Sequence, residues 1–299
     1  MLNKENLLIL APLSEITTLS FRIMARQFGA DLTLVPLVSS YAIVNKNQKT
    51  LDMLIEGKKE SKPRAVQIFG NDKEVIKRAV RIIDELSIYD IIDLNAGCPS
   101  SKIVNSGSGG ALLKDLPKLR EILRAIRENT KSKVSVKIRL GFSKNDLTNI
   151  IKAVDDFVDM ITIHGRTIKQ SFSGNNDWQS IFQAKALTDK IIIGSGDIRT
   201  KEDYLKVKDK VNGVMIGRAA LSNPGIFSEI KFNKPISKSR ALLRLTELEK
   251  DFLNLKKLSL FMVAGMNNSK RIKREITKIK DYDTLVNYLT FLAKEMNPE

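Results

Sequence analysis

The chain contains one cysteine and one histidine, and each stands at or just past the end of a short apolar run. Cys98 lies in Asn95-Ala96-Gly97-Cys98-Pro99, ahead of a Gly- and Ser-rich stretch ending at Gly110. Such a stretch is expected to form a mobile loop that can close over a substrate. A lone cysteine commonly serves as a small buried hydrophobe. In a polar loop before a proline, a protonated thiol can instead act as a general acid. His164 opens the polar sequence His164-Gly165-Arg166 in the same way. Lys137 sits in an alternating segment: Val134, Val136 and Ile138 share one face, and Ser135, Lys137 and Arg139 share the other. An inward-facing lysine can form a Schiff base or stabilise negative charge on a cofactor ring. Its plainer role is an ion-paired or solvated cation. Gly194-Ser195-Gly196-Asp197 and Gly217-Arg218 combine glycine with polar groups. Glycine lets backbone N–H groups approach a phosphate closely, and arginine can pair with it. The simpler use of these glycines is tight turning.

These groups need a scaffold that brings strand ends together. Eight short apolar runs cross the first 230 residues: Leu7–Ala11, Leu32–Val35, Ala65–Phe69, Asp90–Leu94, Val134–Arg139, Met160–His164, Ile191–Gly194 and Gly213–Gly217. Their length and Val/Ile content suit strands buried on both faces. Between them lie helical patterns such as Lys73–Leu86, Leu116–Asn129 and Leu147–Phe157. This alternation predicts an α/β fold, a (β/α)8 TIM barrel, with an open doubly wound sheet as the alternative. In such a barrel the C-terminal strand ends form the active site. Pro12, Leu13 and Ser14 follow the first run, Gln67 lies in the third, and the groups above lie in or just past the ends of the fourth to eighth.

Composition narrows the function. The 299 residues are 42% hydrophobic and 28% charged, enough for a real core. No apolar run approaches a membrane span and the N-terminus lacks a signal-peptide pattern, so a cytoplasmic protein without a membrane segment is expected. One cysteine and one histidine argue against a thiolate or histidine metal centre. The net charge of +16 favours a polyanionic partner, with nucleic acid foremost. Residues 231–299 carry 15 basic and 8 acidic side chains, against 35 and 26 in residues 1–230. Net charge is thus concentrated at the C-terminal end, where Leu, Lys and Glu favour helix. We expect a catalytic barrel over residues 1–235 and a small all-helical domain over 236–299. Within Lys270–Lys280, six basic residues accompany one acid. Ile272, Ile276 and Ile279 would dock this helix and leave Lys270, Arg271, Lys273 and Arg274 for nucleic-acid phosphates.

Taken in order, Asp93-Leu-Asn-Ala-Gly-Cys-Pro99, Val136-Lys-Ile-Arg139, Thr162-Ile-His-Gly-Arg-Thr167, Phe172-Ser-Gly-Asn-Asn-Asp-Trp178, Gly196-Asp197-Ile198 and Met215-Ile-Gly-Arg218 resemble the flavin-dependent tRNA-dihydrouridine synthases, most closely the bacterial B-type branch. The resemblance covers nearly the whole barrel. It implies tightly bound FMN, NADPH as transient reductant, and a tRNA uridine as substrate. Pro12, Leu13 and Ser14 would line the flavin, and Gln67 and Lys137 would contact its ring. Ser195, Gly196, Asp197, Gly217 and Arg218 would hold ribityl and phosphate. Asn95 and His164 would seat flavin and uracil, Arg139 and Arg166 would face the substrate, and Cys98 would protonate C5 after hydride reaches C6. A monomer is expected. The chain departs from the family pattern at Leu13, at Glu15-Ile-Thr-Thr18, at Pro36-Leu37 and at Ser195, and the chemistry is expected to survive these changes. Rival readings are an FMN oxidoreductase acting on a free pyrimidine or other small molecule, an RNA-binding barrel without catalysis, and a Lys137 aldolase.

Overall fold

The computed structural model describes residues 5–296. The outermost ends of both expected domains, including Pro298, lie outside the described residues. Eight strands form one parallel sheet: β1 (Leu7–Leu10), β2 (Leu34–Ser39), β3 (Ala65–Phe69), β4 (Ile91–Asn95), β5 (Lys133–Arg139), β6 (Met160–His164), β7 (Ile191–Ser195) and β8 (Gly213–Ile216). Each strand from β2 to β8 pairs with the next, and β8 pairs with β1. A parallel bridge between Ile9 and Leu32, with Leu10 N–H donating to the Leu32 carbonyl at 3.0 Å, closes the ring. The sheet is therefore a closed (β/α)8 barrel and not an open doubly wound sheet.

The connecting helices follow local rules. In the helix Lys73–Glu85, Asp72 caps the start by accepting from Glu74 and Val75 N–H, and Ile76, Ala79, Val80 and Ile83 turn inward. Asp115 caps Leu116–Arg127, where a proline occupies the first turn.

Three expectations change. β2 starts at Leu34, two residues late, and runs on to Ser39, because a register shift between Val35 and Val38 makes room for Pro36. A proline that cannot donate fits where the ladder is already interrupted. The same irregularity turns Leu37 to φ 42. Second, the helix expected over Leu147–Phe157 ends at Val154 and finishes as a 3-10 turn. Third, the stretch after Cys98 has regular structure, with a short helix Ser101–Asn105 and a 3-10 turn Gly109–Lys114.

The barrel interior divides by depth. Ile9, Leu32, Leu34, Ile91, Met160, Ile193 and Met215 form one apolar cluster. Gln67, Asp93, Ser135 and Thr162, all buried, bring polar groups into the same interior. Beyond β8 run the helices Lys238–Leu248, Phe252–Met262, Ser269–Lys278 and Tyr282–Met296. The first two dock on the loop after β1 and the helix that follows it: Thr18 Oγ1 donates to Glu249 at 2.9 Å, Ser20 to the Leu248 carbonyl at 3.0 Å, and Lys257 to the Glu15 carbonyl at 3.1 Å. The departure at Thr18 thus serves as helix cap and docking contact together. No helix among the described residues is long and apolar enough to cross a membrane.

Candidate active site

A cavity of about 590 Å³ opens at the C-terminal strand ends. The β1 loop contributes Pro12, Leu13 and Ser14, and β4 with its loop contributes Asn95 and Cys98. Lys137 and Arg139 come from β5 and His164 from β6. Ser195, Gly196 and Asp197 follow from β7, and Gly217 and Arg218 from the end of β8. The lone thiol, the lone imidazole, the inward lysine and both glycine corners therefore share one space.

Three groups are placed differently from expectation. Gln67 is fully buried beneath the cavity wall, bonded to Asp93 and Asn95. Arg166 lies behind His164, where its guanidinium donates to the Asp197 carboxylate at 2.5 Å and to the Gly174 carbonyl at 2.6 Å. Gly194 is taken up by packing, since a Cβ there would meet the Trp178 ring at 2.2 Å. Gly196 does need glycine: its φ is +122, and a Cβ would strike Asn176 Oδ1 at 2.0 Å.

Hydrogen bonds hold the thiol loop at both ends. Asn95 Oδ1 accepts from Cys98 N–H at 2.9 Å and from Gly97 N–H at 3.2 Å. Gly110 N–H donates to the Cys98 carbonyl at 3.0 Å. Arg139 is 2% exposed and has no carboxylate partner among the described residues. It donates instead to the carbonyls of Gly97 (3.1 Å), Thr167 (2.9 Å) and Ser171 (2.6 Å), tying the β4 loop to the β6 loop.

The cavity is electropositive. Burial, reinforced by Arg139, lowers Lys137 to about 8, against the pull of Asp93 and Cys98. Burial and then Lys137, Arg139, Arg166 and Arg218 lower His164 to about 2, so the imidazole is neutral. Asp197 experiences burial that opposes its charge, but the Arg166 bond and the neighbouring Arg199 and Arg218 outweigh it and keep the carboxylate ionised. Below the cavity, burial raises Asp93 to about 6, opposed by bonds from Ser135 and Gln67 and by Lys137.

These features fit a flavin mononucleotide. Arg218 and the two glycine corners suit its phosphate, and Lys137 suits negative charge on its ring. Asp197 Oδ1 is buried, lies 3.6 Å from the Arg218 and 3.8 Å from the Arg199 guanidinium, and accepts no hydrogen bond among the described residues, which leaves it free to accept one from a ribityl hydroxyl.

Sequence reasoning missed several wall residues. Phe172, 56% exposed, lies with its ring centroid 4.9 Å from the Arg218 guanidinium and 5.6 Å from that of Arg139. Leu37 and Arg199 also line the cavity. Asp93 was visible as an acid in an inward register, two residues before Asn95.

The basic helix lies elsewhere. It spans Ser269–Lys278, and Ile272 and Ile276 are buried. Ile279 falls past its end in extended conformation, so it does not share the helical face expected of it. Lys270, Arg271 and Arg274 are exposed and Lys273 is half-buried. None of the four lines the cavity. Lys256 caps the helix end by donating to the carbonyls of Thr277 (2.8 Å) and Ile279 (2.6 Å).

Residues 9–295 match the family model described as dihydrouridine synthase. A probable tRNA-dihydrouridine synthase of Helicobacter pylori is 41% identical over 231 residues, covering 76% of this chain and 70% of the relative. One of Aquifex aeolicus is 34% identical over 302 residues, covering 95% of each. A tRNA-dihydrouridine synthase B of Pseudomonas syringae pv. tomato is 34% identical over 255 residues, covering 83% of this chain and 75% of the relative. Among solved structures, morphinone reductase shares the fold at a TM-score of 0.54 and 12% identity, over 78% of this chain and 87% of that one. On the match across nearly its full length, the chain belongs to the dihydrouridine synthase family.

Proposed function

We propose that the chain is an FMN-dependent tRNA-dihydrouridine synthase that uses NADPH as reductant and Cys98 as the proton donor. The observation that carries this reading is the shared cavity: one thiol, one neutral imidazole, one lysine and an arginine-flanked pair of glycine corners. Pro12, Leu13, Ser14, Lys137 and His164 hold the ring region of the flavin, and Ser195, Gly196, Asp197, Gly217 and Arg218 hold its ribityl and phosphate. When bound and reduced, the flavin supplies the hydride that adds to C6 of the uracil. Cys98 gives its proton to C5, completing addition of two hydrogens across the C5–C6 bond. The thiolate left behind faces Lys137 and Arg139, whose charges interact with it. Asn95 and the loop bonds at Cys98 fix where that proton is offered. Neutral His164 can bond the ring or the uracil without adding charge.

The polyanionic partner fits the net charge of +16 and the exposed cations of the helix Ser269–Lys278. A buried C6 is reached only if the uridine leaves its stack. The cytoplasmic setting and monomeric state belong to the same proposal. The test is a visible spectrum of the purified protein followed by turnover on transcript tRNA. The expected result is a yellow protein that consumes NADPH with tRNA and leaves dihydrouridine in it. A colourless protein, or one that reduces free uracil or orotate and not tRNA, overturns the proposal.

A further inference from the structure

Beneath the thiol runs a chain of side-chain hydrogen bonds with a single direction. Asp93, 1% exposed, accepts from Ser135 Oγ at 2.5 Å and from Gln67 Nε2 at 2.7 Å. The opposite end of that amide, Gln67 Oε1, accepts from Asn95 Nδ2 at 2.8 Å. Asn95 Oδ1 is thereby turned toward the loop, where it accepts from Gly97 and Cys98 N–H. The strand register builds this chain, setting Gln67 opposite Asp93 and Asp93 opposite Ser135. Neither Asp93, Gln67 nor Ser135 lines the cavity.

An ionised carboxylate only accepts, whereas a primary amide has a donating and an accepting end. Asp93 therefore dictates which end of Gln67 faces it. Gln67 in turn dictates which end of Asn95 faces the loop. Were Asn95 turned over, its NH2 would confront two backbone N–H groups, and the buried donors would lose their acceptor. We propose that Asp93 is a positioning residue for Cys98, acting through the amide orientations of Gln67 and Asn95. Its relevance to catalysis rests on Cys98 being the proton donor, while the geometry itself stands apart from that reading.

Moving the carboxylate to the other end of the chain tests the idea. In Asn95→Asp alone, Gln67 must donate toward position 95, which turns its oxygen against the Asp93 carboxylate. Adding Asp93→Asn supplies a donor there, reverses both middle bonds and keeps an acceptor for the Cys98 loop. Adding Asp93→Leu relieves the repulsion between two carboxylates but supplies no donor. The chain has a single cysteine, so iodoacetamide addition followed by intact mass reports Cys98 alone. The measurement uses protein purified with its flavin. Asn95→Asp is expected to speed alkylation by about tenfold, because the Gln67 oxygen then faces a carboxylate whichever way the amide turns, and that repulsion pushes the new carboxylate off the Gly97 and Cys98 N–H groups and exposes the thiol. Asn95→Asp with Asp93→Asn should return to within about twofold of wild type, and Asn95→Asp with Asp93→Leu should not. A wild-type rate or slower in Asn95→Asp overturns the proposal, as does equal recovery with Asn and Leu or none with Asn. If Asn95→Asp is insoluble, a folded Asn double variant reacting at the wild-type rate supports the idea, and an insoluble one sinks it. Thiol kinetics need neither tRNA nor reductant. Normal alkylation in a protein that reduces no uridine would reject the enzymatic reading and leave the positioning chain standing.

Discussion

Two arginines, each 2% exposed, are treated in opposite ways by this barrel. Arg22, on the helix Leu19–Gln27, donates to the Glu60 carboxylate at 2.9 Å and to the Thr17 carbonyl at 2.8 Å. Thr33 completes that carboxylate by donating to it at 2.7 Å. Charge there is cancelled on the spot, by groups that lie away from the cavity. Arg139 at the cavity meets three carbonyls and no carboxylate, beside Lys137 and within reach of Arg218. The first arrangement is closed and structural. The second is hydrogen-bonded yet unfinished, with no carboxylate partner among the described residues, which suits an anionic guest. Burial of a cation therefore does not by itself mark a site, whereas burial without local neutralisation does.

The largest expected effect lies on the unfinished side. Cys98→Ala removes the proposed proton donor and should cut uridine reduction by about 100- to 10,000-fold while the proposed yellow cofactor and its reduction by NADPH persist. Normal turnover would remove the thiol from the chemistry. On the finished side, Glu60→Ala strands Arg22 and should cost about 3–5 kcal/mol in urea unfolding. Turnover per folded molecule should stay the same, and a loss of less than about 1 kcal/mol would mean that Arg22 finds water.

Lys137→Met separates the two regions by sign. The native amine titrates at about 8 and the unfolded one near its ordinary 10.5, so below about 8 the folded protein carries the full penalty of a buried charge. The variant should gain about 1–3 kcal/mol at pH 7 in the flavin-free protein while losing turnover. Because the unfolded chain holds more protons between those two values, the wild type should recover stability as pH rises from 8 to 10.5 and close the gap. A gap constant across that range contradicts the assignment. The smallest effect per residue belongs to the helix Ser269–Lys278. Replacing Lys270, Arg271, Lys273 and Arg274 by Gln should flatten the salt dependence of tRNA binding, measured by filter binding. The log–log slope should fall by roughly 0.7–0.9 for each phosphate no longer neutralised. An unchanged slope removes that helix from the interface.

Much of this was legible in the sequence because parallel strands in a barrel are buried on both faces. Ala65–Phe69 and Met160–His164 coincide with the observed strands, since nothing but an apolar run is needed to identify them. β2 was misplaced because Pro36 interrupts its pattern, and only the neighbouring strand shows that the ladder tolerates it. The inward face of β5 was readable from alternation. The fates of Gln67 and Arg166 were not, because whether an inward polar group reaches a cavity depends on depth along the barrel axis, which a period of two does not encode. Gly194 shows the same limit. A glycine that admits a phosphate and one that admits an indole read alike until the neighbouring chain is in place.

That indole has a practical consequence. Trp178 is the only tryptophan in the chain, and it rests against Gly194, one residue before the wall residue Ser195. Its ultraviolet emission overlaps the absorption of an isoalloxazine, so a chromophore entering the cavity would draw off its excitation. The fold thus carries a built-in optical gauge of cofactor occupancy, which can be read without labelling or engineering the protein.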